Sequence, residues 1–129
     1  MIMSNIEKAV YRANVDSHTN LDRTLVTAFD GESRYFLLES VRIARFEREA
    51  EFGNHWREYP EDYSIIGSAK VMLEDIDSKK RREYNLATGD RLFVPPRVAL
   101  KIWGEPGTVI IVCSPRGDRE KQTHKYQID

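Results

Sequence analysis

Short apolar runs alternate with turn-forming residues along most of the chain. Residues 25–29, 35–38, 41–46, 63–66, 69–73, 98–103 and 108–113 are rich in β-branched and aromatic side chains. Each run is long enough for a strand and too short for a buried helix. Between them stand Asp30-Gly31-Glu32-Ser33, Gly53-Asn54, residues 75–80, Thr88-Gly89-Asp90 and Gly104-Glu105-Pro106-Gly107, all composed of residue types that build turns. Ala69, Val71 and Leu73 alternate with Lys70, Met72 and Glu74, which predicts a strand with one buried face and one mostly wet face. Val109-Ile110-Ile111-Val112 is apolar on both faces, so it is expected either at the centre of a sheet or under a second subunit. Many short strands at this spacing predict an all-β sandwich or barrel. The charge run Asp75-Ile76-Asp77-Ser78-Lys79-Lys80-Arg81-Arg82 reads as an exposed hairpin tip, or else as a dock for an acidic partner. The tail, residues 116–129, is polar and is left either unpaired or along a sheet edge.

Composition narrows the function classes. A chain of 129 residues can bury one core, and we expect a single domain over residues 1–129. The net charge of −1 argues against a general binder of nucleic acid or anionic membranes, which needs a basic excess. Cys113 is the one cysteine, so no disulfide forms within the chain, and its apolar surroundings make it a buried small hydrophobe. Together with an N-terminus that lacks signal-peptide order, this predicts a cytoplasmic protein. No stretch reaches a membrane-spanning length.

The chemistry lies in two segments. Gly89-Asp90-Arg91-Leu92-Phe93-Val94-Pro95-Pro96 reads as a glycine turn, a short apolar strand and a proline corner, and Gly53-Asn54-His55-Trp56-Arg57 opens an earlier segment of the same type. The pair resembles the two motifs of the cupin superfamily, over residues 36–114. The resemblance implies an all-β cupin barrel, a jelly roll or double-stranded β-helix, with a short N-terminal extension. Cupin motif one has two histidines two apart, a glutamate four further on and then a glycine. Here His55 matches the first histidine, Arg57 replaces the second, Glu61 matches the glutamate, Gly67 comes one residue early and Ser68 holds its place. In motif two, Gly89 and Pro95 match, whereas Arg97, Leu100 and Gly104 replace a glycine, the ligand histidine and an asparagine.

These departures remove the usual metal chemistry. A first-row ion needs three or four converging imidazoles or carboxylates. Only His55 and Glu61 remain, and the Arg57 guanidinium cannot deprotonate, so it repels a cation and donates hydrogen bonds to an anion. We therefore expect no metal and no cofactor. Leu100 shares the inward face of its strand with Val98 and Ile102, giving the site an apolar wall. Arg57 and Glu61 are open to two readings, a structural ion pair or a contact to ligand.

The segment further resembles small cupins related to nucleotide-sugar 3,4-ketoisomerases and 3,5-epimerases, in which a barrel histidine acts as base. The resemblance implies His55 as that base, with Tyr63 or Tyr84 as the acid; an imidazole has the right intrinsic pKa for the task. Arg57 and Arg97 would hold a phosphate or carboxylate, and Trp56 and Trp103 would stack on a base or sugar, although a tryptophan is more often a packing residue. Two functions follow as expectations. One is a metal-poor barrel that binds a small anionic or sugar-like ligand, such as a nucleotide sugar or carboxylate, through Arg57, Glu61, Arg97, Leu100 and Trp103. The other is a metal-independent isomerase or epimerase of a keto-sugar nucleotide. Tyr35-Phe36-Leu37-Leu38, Val41 and Ile43 carry more apolar side chains than one strand face needs, which predicts a homodimer through this region.

Overall fold

In the computed structural model, which describes residues 4–13, 17–28, 36–115 and 117–129, twelve short strands build three antiparallel sheets. They are β1 (Val10–Arg12), β2 (Ser17–Thr19), β3 (Thr24–Val26), β4 (Ser40–Arg45), β5 (Ala50–Arg57) and β6 (Glu61–Ile66). The remainder are β7 (Ser68–Asp75), β8 (Arg81–Ala87), β9 (Arg91–Val94), β10 (Val98–Gly104), β11 (Val109–Ser114) and β12 (Thr123–Lys125). A 3-10 turn at Asn5–Lys8 and a one-turn helix, α1 (Arg119–Gln122), complete the described elements. The first large sheet has the order β1-β9-β6-β11-β4 and the second β12-β5-β10-β7-β8, while β2 and β3 form a separate hairpin. From β4 to β7, and again from β8 to β12, the chain passes from one sheet to the other at each strand, as in a jelly roll. Among the described residues no helix is long and apolar enough to cross a membrane.

The core lies between the two large sheets and is made by alternate residues of each strand: Val71 and Leu73, Val98, Leu100 and Ile102, Leu92, Ile65, and Ile110 with Val112, all buried. The alternation in β7 places Ala69, Val71 and Leu73 inside, as expected. β11 is flanked by β6 and β4, so its two apolar faces belong to a strand with neighbours on both sides. The polar tail takes the sheet-edge option: β12 pairs with β5, and the Lys101 ammonium donates to the Ile128 carbonyl at 2.7 Å, fixing the chain end against the second sheet.

Three expectations need correction. Gly53 and Asn54 are not a turn between strands; they lie inside β5, at a bulge opposite β10. The segment at residues 36–39 joins no ladder, and the expected strand residues Phe29 and Tyr35 and the expected turn at residues 30–33 lie outside the described residues. The charge run is only partly a hairpin tip. Arg81 and Arg82 are already in β8, and Asp75 is fully buried, its carboxylate accepting from the backbone N–H groups of Ile6 at 3.1 Å and Asp77 at 3.0 Å. β8 went unread because its sequence is polar; the seven-residue ladder with β7 supplies what propensity does not.

The bulge sets everything that follows. Phe52 pairs with Ile102 and Gly53 with Lys101, but the next partner, Leu100, faces His55, so Asn54 is the extra residue. Gly53 has φ +105° and Asn54 φ +54°, which suit glycine and asparagine. The inserted residue flips the parity of the strand. Before it Ala50 and Phe52 pack on the core; after it His55 and Arg57 share that inward face, and Trp56 points outward. A β-carbon on Gly53 would come within 2.6 Å of the Leu100 carbonyl oxygen. Gly53→Ala is therefore expected to cost about 1–3 kcal/mol, from the left-handed φ and this contact together. A urea midpoint equal to that of the parent would refute this account of the bulge.

Candidate functional site

Arg57, the last residue of β5, and Glu61, the first of β6, lie on opposite sheets, joined by the short link Glu58-Tyr59-Pro60. Their side chains turn into the barrel and meet: Arg57 Nε donates to Glu61 Oε1 at 2.7 Å, with both side chains almost wholly buried. The guanidinium also donates through Nη1 to Tyr59 Oη at 3.2 Å and to Thr123 Oγ1 at 2.5 Å. Glu61 Oε1 accepts a further bond from Tyr63 Oη at 2.8 Å, and Arg42 Nη2 lies 3.5 Å from Oε2. Burial pushes the Tyr63 phenol well above its ordinary value, and the neighbouring carboxylate adds to the shift, so Tyr63 stays protonated.

His55 stands beside this network with a different character. Its Nε2 is buried and has no hydrogen-bond partner. Burial, reinforced by the charge of Arg57, pushes its pKa from 6.5 down to about 4. The ring is thus neutral near pH 7, and His55 lines a cavity together with Arg57, Tyr59, Glu61, Tyr63, Val94, Pro95, Val98 and Leu100. That cavity is about 10 Å³, room for about one water. Arg57 and Tyr63 also line a second cavity of about 170 Å³, together with Arg42, Ile43, Ala44, Phe52 and Val112. A third, of about 300 Å³, shares Ala44 and Phe52 with it and is rimmed by Arg45, Glu47, Arg48 and Glu51. A cleft therefore runs between β4 and β5, and Arg57 with Tyr63 forms the wall between it and His55.

Of the residues singled out in the sequence, His55, Arg57, Glu61, Tyr63 and Leu100 come together here. Tyr84, Arg97 and Trp103 do not. Tyr84 lies on β8 and stacks on Tyr11, with centroids 5.1 Å apart. Arg97 has a left-handed backbone and sends its guanidinium out of the barrel, to Asp77 at 2.6 Å and over the Trp56 ring at 5.3 Å. Trp103 sits toward the other end of β10, on the outer face. Arg42, Phe52, Tyr59 and Thr123 are site residues that the sequence pattern did not offer. Arg42 was concealed because β4 leaves its apolar Val41 and Ile43 55 % and 70 % exposed, while the charged Arg42 between them lines the cleft. Thr123 reaches the site only because β12 adds to the edge of β5.

Cupin barrels commonly hold a metal, and this donor set does not fit one. His55 and Glu61 are the candidate ligands, the carboxylate is already held by Arg57 and Tyr63, and among the described residues no three of His, Cys, Asp and Glu converge on a point.

No protein-family model matches the chain, and no curated protein matches it in sequence. Solved structures do match in fold. The dTDP-4-dehydrorhamnose 3,5-epimerase from Bacillus anthracis, with TDP and pyrophosphate bound, superposes with a TM-score of 0.78 at 12 % identity, over 96 % of this chain and 81 % of that one. The 3,4-ketoisomerase QdtA from Thermoanaerobacterium thermosaccharolyticum, a variant in complex with TDP-4-keto-6-deoxyglucose, gives 0.73 at 15 % identity, over 95 % and 88 %. The 3'-monoepimerase ChmJ from Streptomyces bikiniensis, in complex with dTDP-quinovose, gives 0.75 at 17 % identity, over 91 % and 68 %. The fold is the RmlC-like cupin barrel.

Two outcomes test the electrostatics of the site. Arg57→Met should destabilise the protein by about 3–5 kcal/mol, because it leaves a buried carboxylate without its main partner, and the double variant Arg57→Met/Glu61→Leu should recover most of the loss in urea unfolding. His55 gives the second. Its folded pKa lies below its unfolded value, so the unfolded chain takes up the proton first and stability falls as pH drops from about 6.5 towards 4. The slope over that window should be shallower in His55→Asn; equal slopes in the two proteins would mean that His55 titrates normally.

Proposed function

We propose that this barrel binds a small anionic, sugar-like ligand in the cleft between β4 and β5. The observation that carries the reading is Arg42. It is 40 % exposed and only loosely held by Glu61 at 3.5 Å, and it stands in the cleft beside the fixed charge of Arg57. Arg48, at the rim, has no partner among the described residues, whereas Arg45 is taken up by Glu47 at 2.8 Å. A phosphate or carboxylate entering here would find a guanidinium able to present two donors, with Phe52 and Val112 as apolar walls for a ring. The structural neighbours, which carry TDP or TDP-sugars, are consistent with a ligand of this class.

A second reading, an isomerase or epimerase of a keto-sugar nucleotide, draws support from one feature, the unpartnered Nε2 of His55. A neutral imidazole is the form a general base requires. In this reading His55 removes a proton from carbon next to the carbonyl, Tyr63 stands by as acid, and Arg57 with Tyr63 must yield for the substrate to reach Nε2. Titration calorimetry with TDP-4-keto-6-deoxyglucose should give saturable binding that weakens at least tenfold in Arg42→Ala; undiminished affinity in that variant would overturn the cleft. Incubating the same compound in deuterated solvent separates the two readings. Deuterium incorporated at carbon and abolished in His55→Ala supports catalysis, and binding without exchange supports the module.

The outward apolar face of β4, with Leu37 75 % exposed and Ile66 at its margin, is the surface we assign to a homodimer. Sedimentation should give a dimer at micromolar concentration and a monomer for Ile43→Glu. A monomeric parent protein would remove the assignment.

A further inference from the structure

Trp103 lies on the outer face of the second sheet, away from the barrel site, and it lines a cavity of about 370 Å³ with Glu49, Ser68, Ala69, Lys70, Asn85, Gly104 and Glu105. The register of the sheet explains the grouping. Glu51 of β5, Trp103 of β10, Lys70 of β7 and Asn85 of β8 stand directly opposite one another on four successive strands. Neighbouring strands are about 4.8 Å apart, so this row of carboxylate, indole, ammonium and amide runs for about 14 Å across the sheet. From this geometry we propose that the Trp103 hollow is a binding site for a neutral saccharide, distinct from the cleft between β4 and β5.

Three features of the hollow define that ligand. The first is its aromatic floor. Trp103 is half-buried, and the ammonium of Lys101, itself buried and tied to the Ile128 carbonyl, lies 5.0 Å from the centre of its ring. A half-buried indole held in this way offers apolar surface at small entropic cost, suited to the C–H face of a pyranose. The second is the set of polar groups with nothing else to do. Among the described residues, the side chains of Glu49, Ser68, Asn85 and Glu105 make no hydrogen bond or ion pair within the chain. Carboxylate, hydroxyl and amide groups around an aromatic floor can both donate to and accept from sugar hydroxyls. The third is charge. The lining carries Glu49 and Glu105 against Lys70, whose ammonium is already held by Glu83 at 2.6 Å, so an anion is disfavoured. A cation would compete with Lys70 and Lys101, which lie 5.8 and 5.0 Å from the ring centre. A neutral, hydroxyl-rich ligand of about disaccharide length satisfies all three.

The chain has two tryptophans, Trp56 and Trp103, and Trp56 is stacked on His124 elsewhere on the surface. Their indole N–H signals in a ¹⁵N-correlated NMR spectrum report the two places separately, and Trp56→Phe assigns them. Titration with cellobiose, maltose and lactose should move the Trp103 signal saturably in the millimolar range for at least one of them, leaving that of Trp56 in place. Asn85→Ala should weaken that response at least fivefold, with the fold intact by the rest of the spectrum. The proposal is overturned if none of the three sugars moves the Trp103 signal, if both indoles move together, or if Asn85→Ala binds like the parent. Arg42→Ala should leave the response unchanged, which keeps this site separable from the cleft.

Discussion

One extra residue in β5 governs the interior of this barrel. A strand presents alternate side chains to its two faces, so an uninterrupted β5 would carry the inward set from Ala50 and Phe52 on to Asn54 and Trp56. The bulge at Gly53 and Asn54 shifts the set by one. His55 and Arg57 enter the barrel instead, and Trp56 leaves it to stack on His124 and under Arg97. The site is thus a consequence of two backbone conformations with positive φ, which only residues such as glycine and asparagine adopt cheaply.

Once Arg57 is inside, its charge dictates the rest. A buried guanidinium must be paired and hydrogen-bonded. Glu61, Tyr59 and Thr123 together meet that demand, and they come from the opposite sheet, the connecting link and the C-terminal edge strand. One ion pair thereby ties β5, β6 and β12 at a corner of the barrel. The same charge, added to burial, keeps His55 neutral. An arginine at this position therefore makes a structural knot with an unprotonated imidazole beside it.

Much of this was legible beforehand. The strands at residues 41–46, 63–66, 69–73, 98–103 and 108–113 match observed elements, because apolar side chains on a half-buried sheet leave a clear pattern. The resemblance to the two cupin motifs grouped His55, Arg57, Glu61 and Leu100, which line one cavity together with Tyr63. Other features were not. A glycine-asparagine pair reads as a turn unless its partner strand is known, and the partner here, β10, lies far along the chain. β4 shows its apolar Val41 and Ile43 to solvent, and nothing in residue type marked the intervening Arg42 as an inward group. Trp103 and Arg97, grouped with the site by residue type, are carried away from it by strand register and by a left-handed backbone.

By itself the sequence determined the class of structure, since strand patterns depend on residue types at short spacings. Tertiary structure alone decided which side chains face one another. That required the ladder between β5 and β10, the addition of β12 to the sheet edge and the passage of Arg57 and Glu61 onto opposite sheets. These are contacts between distant parts of the chain. Their geometry is set by backbone hydrogen bonds that every residue can make, and such bonds leave almost no trace in the order of side chains.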